Sequence, residues 1–268
     1  MQGYKVADMI VWPFWGKGDV IVYPVFDVHL GAQGCMEEDF RNFINEVAVD
    51  PQAYVVIGGD MIDNGTRNSV TNVFRATMRP SEQKREMANI LAPIRDKILC
   101  FTSGNHERRS NKDADDNPLY DIAAKLDLEH LYREDLAWLH MQLGTNKSIG
   151  GGRSAGKDRQ SYSVIVSHGA GGGMLTGGAV NRVERLPHDA DVLITGHTHN
   201  PFATFPARLT GNLINNNVYA LTQLNIKATS WLKYGDYAAE KLLRPSAHVM
   251  QRIVFSSTEK RVTVVSEI

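Results

Sequence analysis

The sequence predicts an α/β fold. Short apolar runs typical of strands alternate with longer segments of helical periodicity along the 268 residues. An α/β chain of this length can bury a large core and commonly forms one domain, so we expect a single domain over residues 1–268. The strand-like runs are Val20–Phe26, Tyr54–Ile57, Ile98–Thr102, Tyr162–Val166, Val192–Thr195, Val218–Leu221, Val249–Phe255 and Val262–Val265.

The first of these strands contains a proline. Pro24 has no amide hydrogen to donate to a neighbouring strand, and this favours an edge strand or a bulge. An earlier apolar stretch, residues 9–15, is short, is broken by Pro13 and follows Asp8 instead of a basic cluster. It is therefore a poor signal peptide and a poor membrane span, and we expect no membrane partner.

Four helices are predicted between the strands. Apolar residues recur every three or four positions in Met36–Val47, and Ser81 is placed to cap a second helix that extends to Leu91. A third helix begins at Asn117-Pro118, where a capping residue precedes a first-turn proline. The fourth is predicted over Arg133–Leu143.

The composition excludes several classes of protein. The 29 basic side chains nearly balance the 30 acidic ones, so no global field attracts the chain to nucleic acid or to an acidic membrane. Two cysteines, Cys35 and Cys100, are too few for a disulfide framework, and Cys100 lies inside an apolar run where a buried thiol is expected. These features favour a reducing compartment and a cytoplasmic location.

Two glycine-rich stretches, residues 144–156 and 169–178, interrupt the pattern. Neither contains the sequence of a Walker or dinucleotide-binding loop, so we do not expect a nucleotide cradle. The first is typical of a loop or a mobile hairpin. The second directly follows His168, and its glycines either form an ordinary loop or let the backbone pass close to a functional pocket.

Five polar blocks follow apolar runs in order along the chain. Polar loop tips would explain any one of them, but their order, spacing and residue types together indicate a site. A pair of divalent cations about 3.5–4 Å apart needs carboxylate, amide and imidazole ligands converging from several strand ends. The blocks are Asp27-Val28-His29, Gly59-Asp60-Met61-Ile62-Asp63, Gly104-Asn105-His106-Glu107, Ser167-His168-Gly169 and Gly196-His197-Thr198-His199.

This set of blocks resembles the signature of the calcineurin-like metallophosphoesterase superfamily: D-x-H, G-D-x-x-D, G-N-H-[DE], H and G-H-x-H. The resemblance covers residues 27–199 and implies a two-sheet β-sandwich with helices on its outer faces. No linker composition separates residues 201–268, so we expect them to complete the second sheet. By the same resemblance, one metal is held by Asp27, His29, Asp60 and His199, and the other by Asp60, Asn105, His168 and His197.

The resemblance also implies a mechanism. Two divalent ions, Mn²⁺ or Fe²⁺ most readily, with Zn, Ni or Co also compatible, bind a bridging hydroxide that attacks phosphorus directly. His106 stabilises the transition state or protonates the leaving alkoxide, and Asp63 orients it. The alternative is that His106 has only a structural role, as a histidine that is hydrogen-bonded within the local backbone turn.

Departures from the family pattern narrow the range of expected substrate classes. Ser/Thr protein phosphatases carry a phosphate-binding arginine where this chain has Asn64, and purple acid phosphatases carry a tyrosine that the second block lacks. We therefore expect phosphodiester hydrolysis, on a nucleic acid or a nucleotide-type molecule. A phosphomonoesterase is the closest alternative, and a non-catalytic scaffold that retains the fold is a more distant one.

Three arginines are candidate phosphate-binding residues: Arg67, just after the second block, and Arg108 and Arg109, just after Glu107. Residues 65–110 contain nine basic and four acidic side chains, and residues 144–188 contain six and two. A basic rim over an acidic metal centre suits a phosphate-rich substrate such as a nucleic acid strand. Solvated helix faces would account for the same charge excess.

Overall fold

The computed structural model describes residues 3–66, 69, 73–145, 159–171, 176–184, 186, 188–235, 239 and 244–267. The helices in these ranges are α1 (Glu37–Val49), α2 (Pro80–Leu91), α3 (Asn105–Ala114), α4 (Pro118–Lys125) and α5 (Thr176–Val183). The strands are β1 (Ile10–Trp15), β2 (Val20–Val25), β3 (Ala53–Ile57), β4 (Ile98–Thr102), β5 (Tyr132–Arg133), β6 (Leu136–Gly144), β7 (Arg159–Ser167), β8 (Val192–Thr195), β9 (Phe202–Thr204), β10 (Ala207–Asn212), β11 (Asn217–Thr222), β12 (Leu224–Lys227), β13 (Met250–Phe255) and β14 (Val262–Glu267).

Two mixed six-stranded sheets form the centre of the fold. The first has the order β1-β6-β7-β8-β12-β9, and the second has the order β14-β13-β2-β3-β4-β5. Strands β2, β3, β4 and β5 are parallel neighbours, as are β7, β8 and β12. Strands β3, β4 and β8 are buried along their whole length, which explains their unbroken apolar runs.

The inner faces of the two sheets share one hydrophobic core. Tyr162 of β7 packs its ring edge-on against Phe255 of β13, with 5.1 Å between the ring centroids. On the other flank, the indole nitrogen of Trp12 donates a 3.0 Å hydrogen bond to the carbonyl oxygen of Leu99. Each contact joins a strand of the first sheet to a strand of the second, so the expected two-sheet sandwich is confirmed.

Helices cover the outer faces. Helix α1 buries Phe40, Phe43, Ile44 and Val47, the stripe that its sequence periodicity predicts. Helix α4 begins as expected, because the side-chain oxygen of Asn117 accepts from the amide of Tyr120. On the other sheet, Val183 of α5 packs with Ile165 and Leu193 in a separate apolar cluster.

The predicted helix over Arg133–Leu143 is wrong. This segment forms the end of β5 and most of β6, in which alternate residues from Ala137 to Leu143 are buried. The other face of β6 is apolar as well, since Leu136 and Trp138 pack on the outer cluster. Apolar residues on both faces obscure the period of two, and pairing with β1 and β7 fixes the strand.

Two local predictions also need correction. Strand β2 is internal, and Pro24 fits there because β13 pairs only with Val20–Val22, before the proline. Helix α2 starts at Pro80 with Arg79 as its N-cap, so Ser81 lies in the first turn. The carboxylate of Glu82 accepts from the Arg79 amide at 2.9 Å and replaces the predicted serine cap.

The segment after residue 200 is distributed more widely than expected. Strands β13 and β14 do extend the second sheet, but β9 and β12 join the first, and β10 and β11 form a separate hairpin. The hairpin exposes large apolar side chains, including those of Leu209 and Ile214. Among the described residues, no helix is long and apolar enough to cross a membrane.

Candidate metal centre

All five polar blocks lie at the carboxyl ends of parallel strands. Asp27 and His29 follow β2, Asp60 follows β3, and Asn105 follows β4. The remaining imidazoles come from the first sheet, where β7 and β8 are parallel neighbours that lead to His168 and His197 respectively. Since carboxyl ends of parallel strands share one edge, the sandwich brings the blocks together at one end. The last donor, His199, follows in the loop after β8.

Five of the predicted ligands have left-handed backbone conformations. The φ angles are 52° for Asp27, 51° for His29, 51° for Asp60, 76° for His197 and 55° for His199. Such angles are uncommon outside glycine and cost free energy that the surrounding structure must offset. Asp, Asn and His tolerate them better than other side chains, so the backbone and the donor chemistry favour the same residue types.

The glycines of the blocks allow the loops to approach one another. A Cβ built at Gly104 would overlap the Asp60 carboxylate, and one at Gly196 would lie 2.7 Å from Oδ2 of Asp27. Real Cβ atoms do not come this close, so both positions require glycine for packing.

Three donors form the first group. Oδ1 of Asp27 lies 3.3 Å from Nε2 of His199 and 3.8 Å from Nε2 of His29. The two imidazole nitrogens are themselves 3.3 Å apart. Asp27 is fully buried, and its Oδ1 has no hydrogen-bond partner. A buried anionic oxygen without a partner is costly, and a cation among these three atoms would satisfy it.

The second group faces the first. Nε2 of His168 lies 3.1 Å from Oδ1 of Asn105, 3.2 Å from Nδ1 of His197 and 3.3 Å from Oδ2 of Asp60. His168 donates its other nitrogen, Nδ1, to the carbonyl oxygen of Gly58 at 2.8 Å, which directs the Nε2 lone pair into the group. The expected amide and imidazole ligands therefore converge.

Asp60 contacts both groups. Its Oδ2 lies within 3.9 Å of Nε2 of His29 as well as near His168. Its Oδ1 accepts from the backbone amide of His106 at 2.8 Å, so one carboxylate oxygen is fixed while the other faces the donors. This is the position required of the shared carboxylate in the predicted two-metal arrangement.

Burial and charge shift the pKa values of these groups in opposite directions. Burial, with the charge of neighbouring histidines, lowers the pKa of His29 and of His197 to about 4. Burial acts the same way on His168, but the Asp60 carboxylate outweighs it and raises that pKa to about 9. Although burial disfavours their charged forms, contacts with histidines keep the pKa of Asp27 and of Asp60 below the usual range.

The donor set fits divalent metal ions. Three overlapping triads each contain one or more carboxylate and imidazole atoms, and within each triad these atoms lie within 4.8 Å of one another. The triads are Asp27 with His29 and His199, His29 with Asp60 and His106, and Asp60 with His168 and His197. Oxygen donors mixed with neutral imidazoles suit Mn, Fe, Co, Ni and Zn. Facing nitrogen lone pairs at 3.2–3.3 Å repel unless a proton or a cation lies between them.

The candidate catalytic histidine is held at three points. Nδ1 of His106 donates to the backbone oxygen of Asp63 at 2.6 Å, whereas the Asp63 carboxylate oxygen is 3.5 Å away. The main chain of Asp63 therefore makes the hydrogen bond that we expected from its side chain. Nε2 of His106 accepts from the Arg109 guanidinium at 2.9 Å and lies 3.9 Å from Oδ2 of Asp60.

Glu107 supports the site in a way that the sequence analysis did not identify. Its buried carboxylate accepts from the backbone amides of Asp60, Met61 and Gly104 at 2.8–2.9 Å. It thereby caps α3 and fixes the second block at the same time. Burial, with repulsion from Asp60, raises its pKa. Its place in the third block is the only sequence signal for this role.

Asn64 and the tail provide further support. The amide nitrogen of Asn64 donates to the backbone oxygen of His106 at 2.7 Å, so this residue is buried beneath α3 instead of facing substrate. After β12, the amide of Trp231 and the hydroxyl of Ser230 each donate to the backbone oxygen of Asp27 at 3.0 Å. No local pattern in the sequence indicates either long-range contact.

A cavity of about 290 Å³ opens beside the second donor group. Arg108 and Arg109 of α3, two of the three predicted phosphate-binding residues, line it, and so does Lys112. Residues 169–171, which begin the second glycine-rich stretch, line it as well, so this described part of the stretch passes close to the site. The third predicted arginine, Arg67, lies outside the described residues, as does most of the first glycine-rich stretch.

A match to a known protein family covers all five polar blocks. The sequence model of the calcineurin-like phosphoesterase family matches residues 27–201. A search of curated protein sequences finds no significant match. Among solved structures, Vps29 from Cryptosporidium parvum is 16% identical at a TM-score of 0.42, with 93% of this chain and 98% of that chain covered.

Two other solved structures are similar over most of this chain. The calcineurin-like phosphoesterase YfkN from Bacillus subtilis is 10% identical at a TM-score of 0.43, covering 93% of this chain and 90% of that chain. The NAD nucleotidase NadN from Haemophilus influenzae is 10% identical at a TM-score of 0.40, covering 92% of this chain and 49% of that chain.

Proposed function

Because this chain belongs to the calcineurin-like phosphoesterase family, we propose that it hydrolyses phosphoesters with two bound divalent cations. The observation that carries the proposal is the convergence of two donor groups on Asp60, each with a carboxylate and at least two imidazoles. When bound, the cations would supply Lewis-acid activation of water and of the phosphoryl oxygens. Mn²⁺ and Fe²⁺ are our first choices, and Zn, Ni and Co also suit this donor set.

The proposed ligands are those that the structure brings together. Asp27, His29 and His199 would hold one ion, and Asn105, His168 and His197 the other, with Asp60 shared between them. The Glu107 carboxylate holds the Asp60 loop, and the hydrogen bond from the His197 amide holds the Asp27 carboxylate, so these donors are in place before a metal binds. Such preorganisation lowers the cost of assembling the site.

His106 is the proposed catalytic side chain. Donation from Nδ1 to Asp63 leaves Nε2 directed at the space between the donor groups. We propose that the Arg109 guanidinium transfers its hydrogen bond from Nε2 to a phosphate oxygen when substrate enters. Nε2 is then free to take up a proton from solvent, and the resulting imidazolium would stabilise the charge of the transition state or deliver that proton to the leaving alkoxide.

We propose phosphodiesters as the preferred substrates. The residue in the position of the protein-phosphatase arginine is the buried Asn64, and the cations beside the centre lie along α3 instead. A row of cations that leads away from the centre suits a substrate that carries further phosphates beside the reacting one. Phosphomonoesters are the alternative, because the donor groups alone do not discriminate between one and two ester bonds.

The test is hydrolysis of bis-p-nitrophenyl phosphate beside p-nitrophenyl phosphate after metal removal and Mn²⁺ addition. We expect metal-dependent diester cleavage that is lost in Asp60→Asn. In His106→Ala we expect about a hundredfold to ten thousandfold loss of kcat with metal still bound. Faster monoester cleavage would reverse the substrate preference. Metal binding without cleavage of either compound would favour a scaffold that retains the fold.

The proposed location is the cytoplasm. Cys35 and Cys100 are both free cysteines, as a reducing compartment requires. Burial raises the pKa of the Cys35 thiol to about 12, which keeps it protonated and unreactive.

A further inference from the structure

The cavity beside the metal centre has a row of cations along one wall. Three cations on α3 follow Asn105 by three, four and seven residues, so they lie on the same face of the helix as Asn105. They are Arg108, Arg109 and Lys112. Asn105 belongs to the second donor group, and the cations lead away from it. From Asn105 to Lys112 the row spans seven residues, or about 10 Å at 1.5 Å per residue.

The charge of this wall is not neutralised within the cavity. The described residues that line it include three cations and no carboxylate. Arg108 donates to the backbone oxygen of Glu134 and pairs with Asp135 at 2.8 Å, and Arg109 contacts His106, so both arginines are held in place. Among the described residues, no carboxylate pairs with Lys112, whose side chain is exposed. Asp135 offsets the charge of Arg108, and Arg109 and Lys112 keep a charge that an anionic ligand can use.

The opposite wall is formed mainly by Gly169, Ala170 and Gly171, which carry almost no side-chain bulk. The cavity, at about 290 Å³, is close to the lower limit for small-molecule sites, and this size suits one narrow strand better than a duplex. A strand wound as in a duplex advances about 3.4 Å per nucleotide along its axis, and an extended single strand advances further, so a 10 Å row covers at most about three nucleotides.

We propose that this groove, lined by Arg108, Arg109 and Lys112, binds the phosphates that follow the reacting one in a single nucleic acid strand. The inference rests on the proposed phosphoesterase function and specifies its substrate as a polynucleotide. DNA and RNA strands share the phosphodiester chemistry that the row recognises. Lys112 marks the far end of the site, at most about three nucleotides past the reacting phosphate, and acts only on substrates that continue that far.

The test compares Lys112→Glu with a matched charge reversal, Lys125→Glu, on the exposed surface of α4. Substrates are bis-p-nitrophenyl phosphate, thymidine oligonucleotides of two to twelve residues and a twelve-residue oligouridylate, all with Mn²⁺. In Lys112→Glu we expect the ratio of oligonucleotide to small-diester kcat/KM to fall about tenfold, with no change of this ratio in Lys125→Glu.

The wild-type ratio should rise with length up to about three or four nucleotides and then level off. The two twelve-residue strands separate DNA from RNA as the source.

A binding measurement without metal separates this inference from the proposed function. Fluorescence anisotropy of labelled twelve-residue thymidylate, in EDTA and at two salt concentrations, should show salt-sensitive binding. In Lys112→Glu the binding should be weaker, and its salt slope should be smaller by about 0.7. Absence of small-diester cleavage would contradict the phosphoesterase proposal, and the anisotropy would then decide the groove proposal alone.

Three results would overturn the groove proposal. The first is that the two lysine variants have equal kcat/KM ratios and equal anisotropy. The second is that oligonucleotides react no better than the small diester. The third is that a duplex or a phosphopeptide competes more strongly than the unlabelled single strand for binding of the labelled strand. An equal loss of activity on all substrates in Lys112→Glu would indicate damage to the metal centre and would also count against it.

Discussion

The backbone amide of His197 donates a 2.8 Å hydrogen bond to Oδ2 of Asp27, across 170 residues of sequence. This bond ties the first polar block to the last and directs Oδ1 of the same carboxylate towards His199. One side chain thus fixes the loop that carries two donors and supplies a third donor itself.

Removing the charge of Asp27 should therefore reduce metal binding. In Asp27→Asn the amide can occupy the same space but supplies no anionic oxygen, and we expect bound metal to fall from about two equivalents to about one. Elemental analysis of metal after gel filtration measures this. Asp39→Asn, an exposed carboxylate on α1, is the control. Two equivalents in Asp27→Asn would contradict the assignment.

Metal binding should release a proton at neutral pH. The Asp60 carboxylate outweighs the effect of burial and raises the pKa of His168 to about 9, so the metal-free protein is protonated there at pH 7. A metal needs the neutral imidazole, and affinity should rise with pH towards 9 by up to about tenfold per unit. Calorimetry in two buffers of different ionisation enthalpy measures the proton. The control variant His130→Asn, which changes an exposed histidine, should release as many protons on metal binding as the wild type does. A binding enthalpy that does not depend on the buffer would refute the prediction.

Glu107→Gln should destabilise the protein. The carboxylate accepts from the amides of Asp60, Met61 and Gly104 with both oxygens, and glutamine must point an NH₂ group at one of these donors. A buried amide left without an acceptor costs about 1–3 kcal/mol, which lowers Tm by several degrees in a chain of this size. Thermal unfolding of metal-free protein measures it against Glu46→Gln, a change on the exposed face of α1. An unchanged Tm would show that the network relaxes without cost.

Trp231 should be important for stability although it lies far from the metal ligands in sequence. Its buried ring packs on Phe40 and Phe43, with centroids 5.0 and 5.3 Å away, while its amide holds the Asp27 backbone. We expect Trp231→Ala to cost about 3–5 kcal/mol, and Trp231→Phe, which keeps much of the packing, to cost less. Denaturant unfolding gives both values. Equal costs would mean that ring size is not what matters here.

The buried parallel strands were predictable because their signal is local. The runs at Tyr54–Ile57, Ile98–Thr102 and Val192–Thr195 are apolar throughout, and each ends at or near a polar block. The blocks themselves carry the chemistry of the site in their residue types, so the sequence was sufficient to predict which side chains converge.

The remaining features depend on contacts between distant segments. Strand β6 carries apolar residues on both faces, and only its partners β1 and β7 distinguish it from a helix. The tethers from Ser230 and Trp231 to Asp27 span about 200 residues, and the hydrogen bond from His106 to the Asp63 main chain involves an atom that every residue possesses. None of these leaves a pattern in the local sequence.

The polar blocks come from both sheets, and the tether to Asp27 comes from residue 231. During synthesis, a growing chain that has produced only the first 160 residues lacks His168, His197 and His199 and cannot assemble either complete donor group. Each complete donor group therefore assembles only after the second half of the polypeptide has folded against the first. A metal ion bound by donors from both halves would report that the two sheets have packed together.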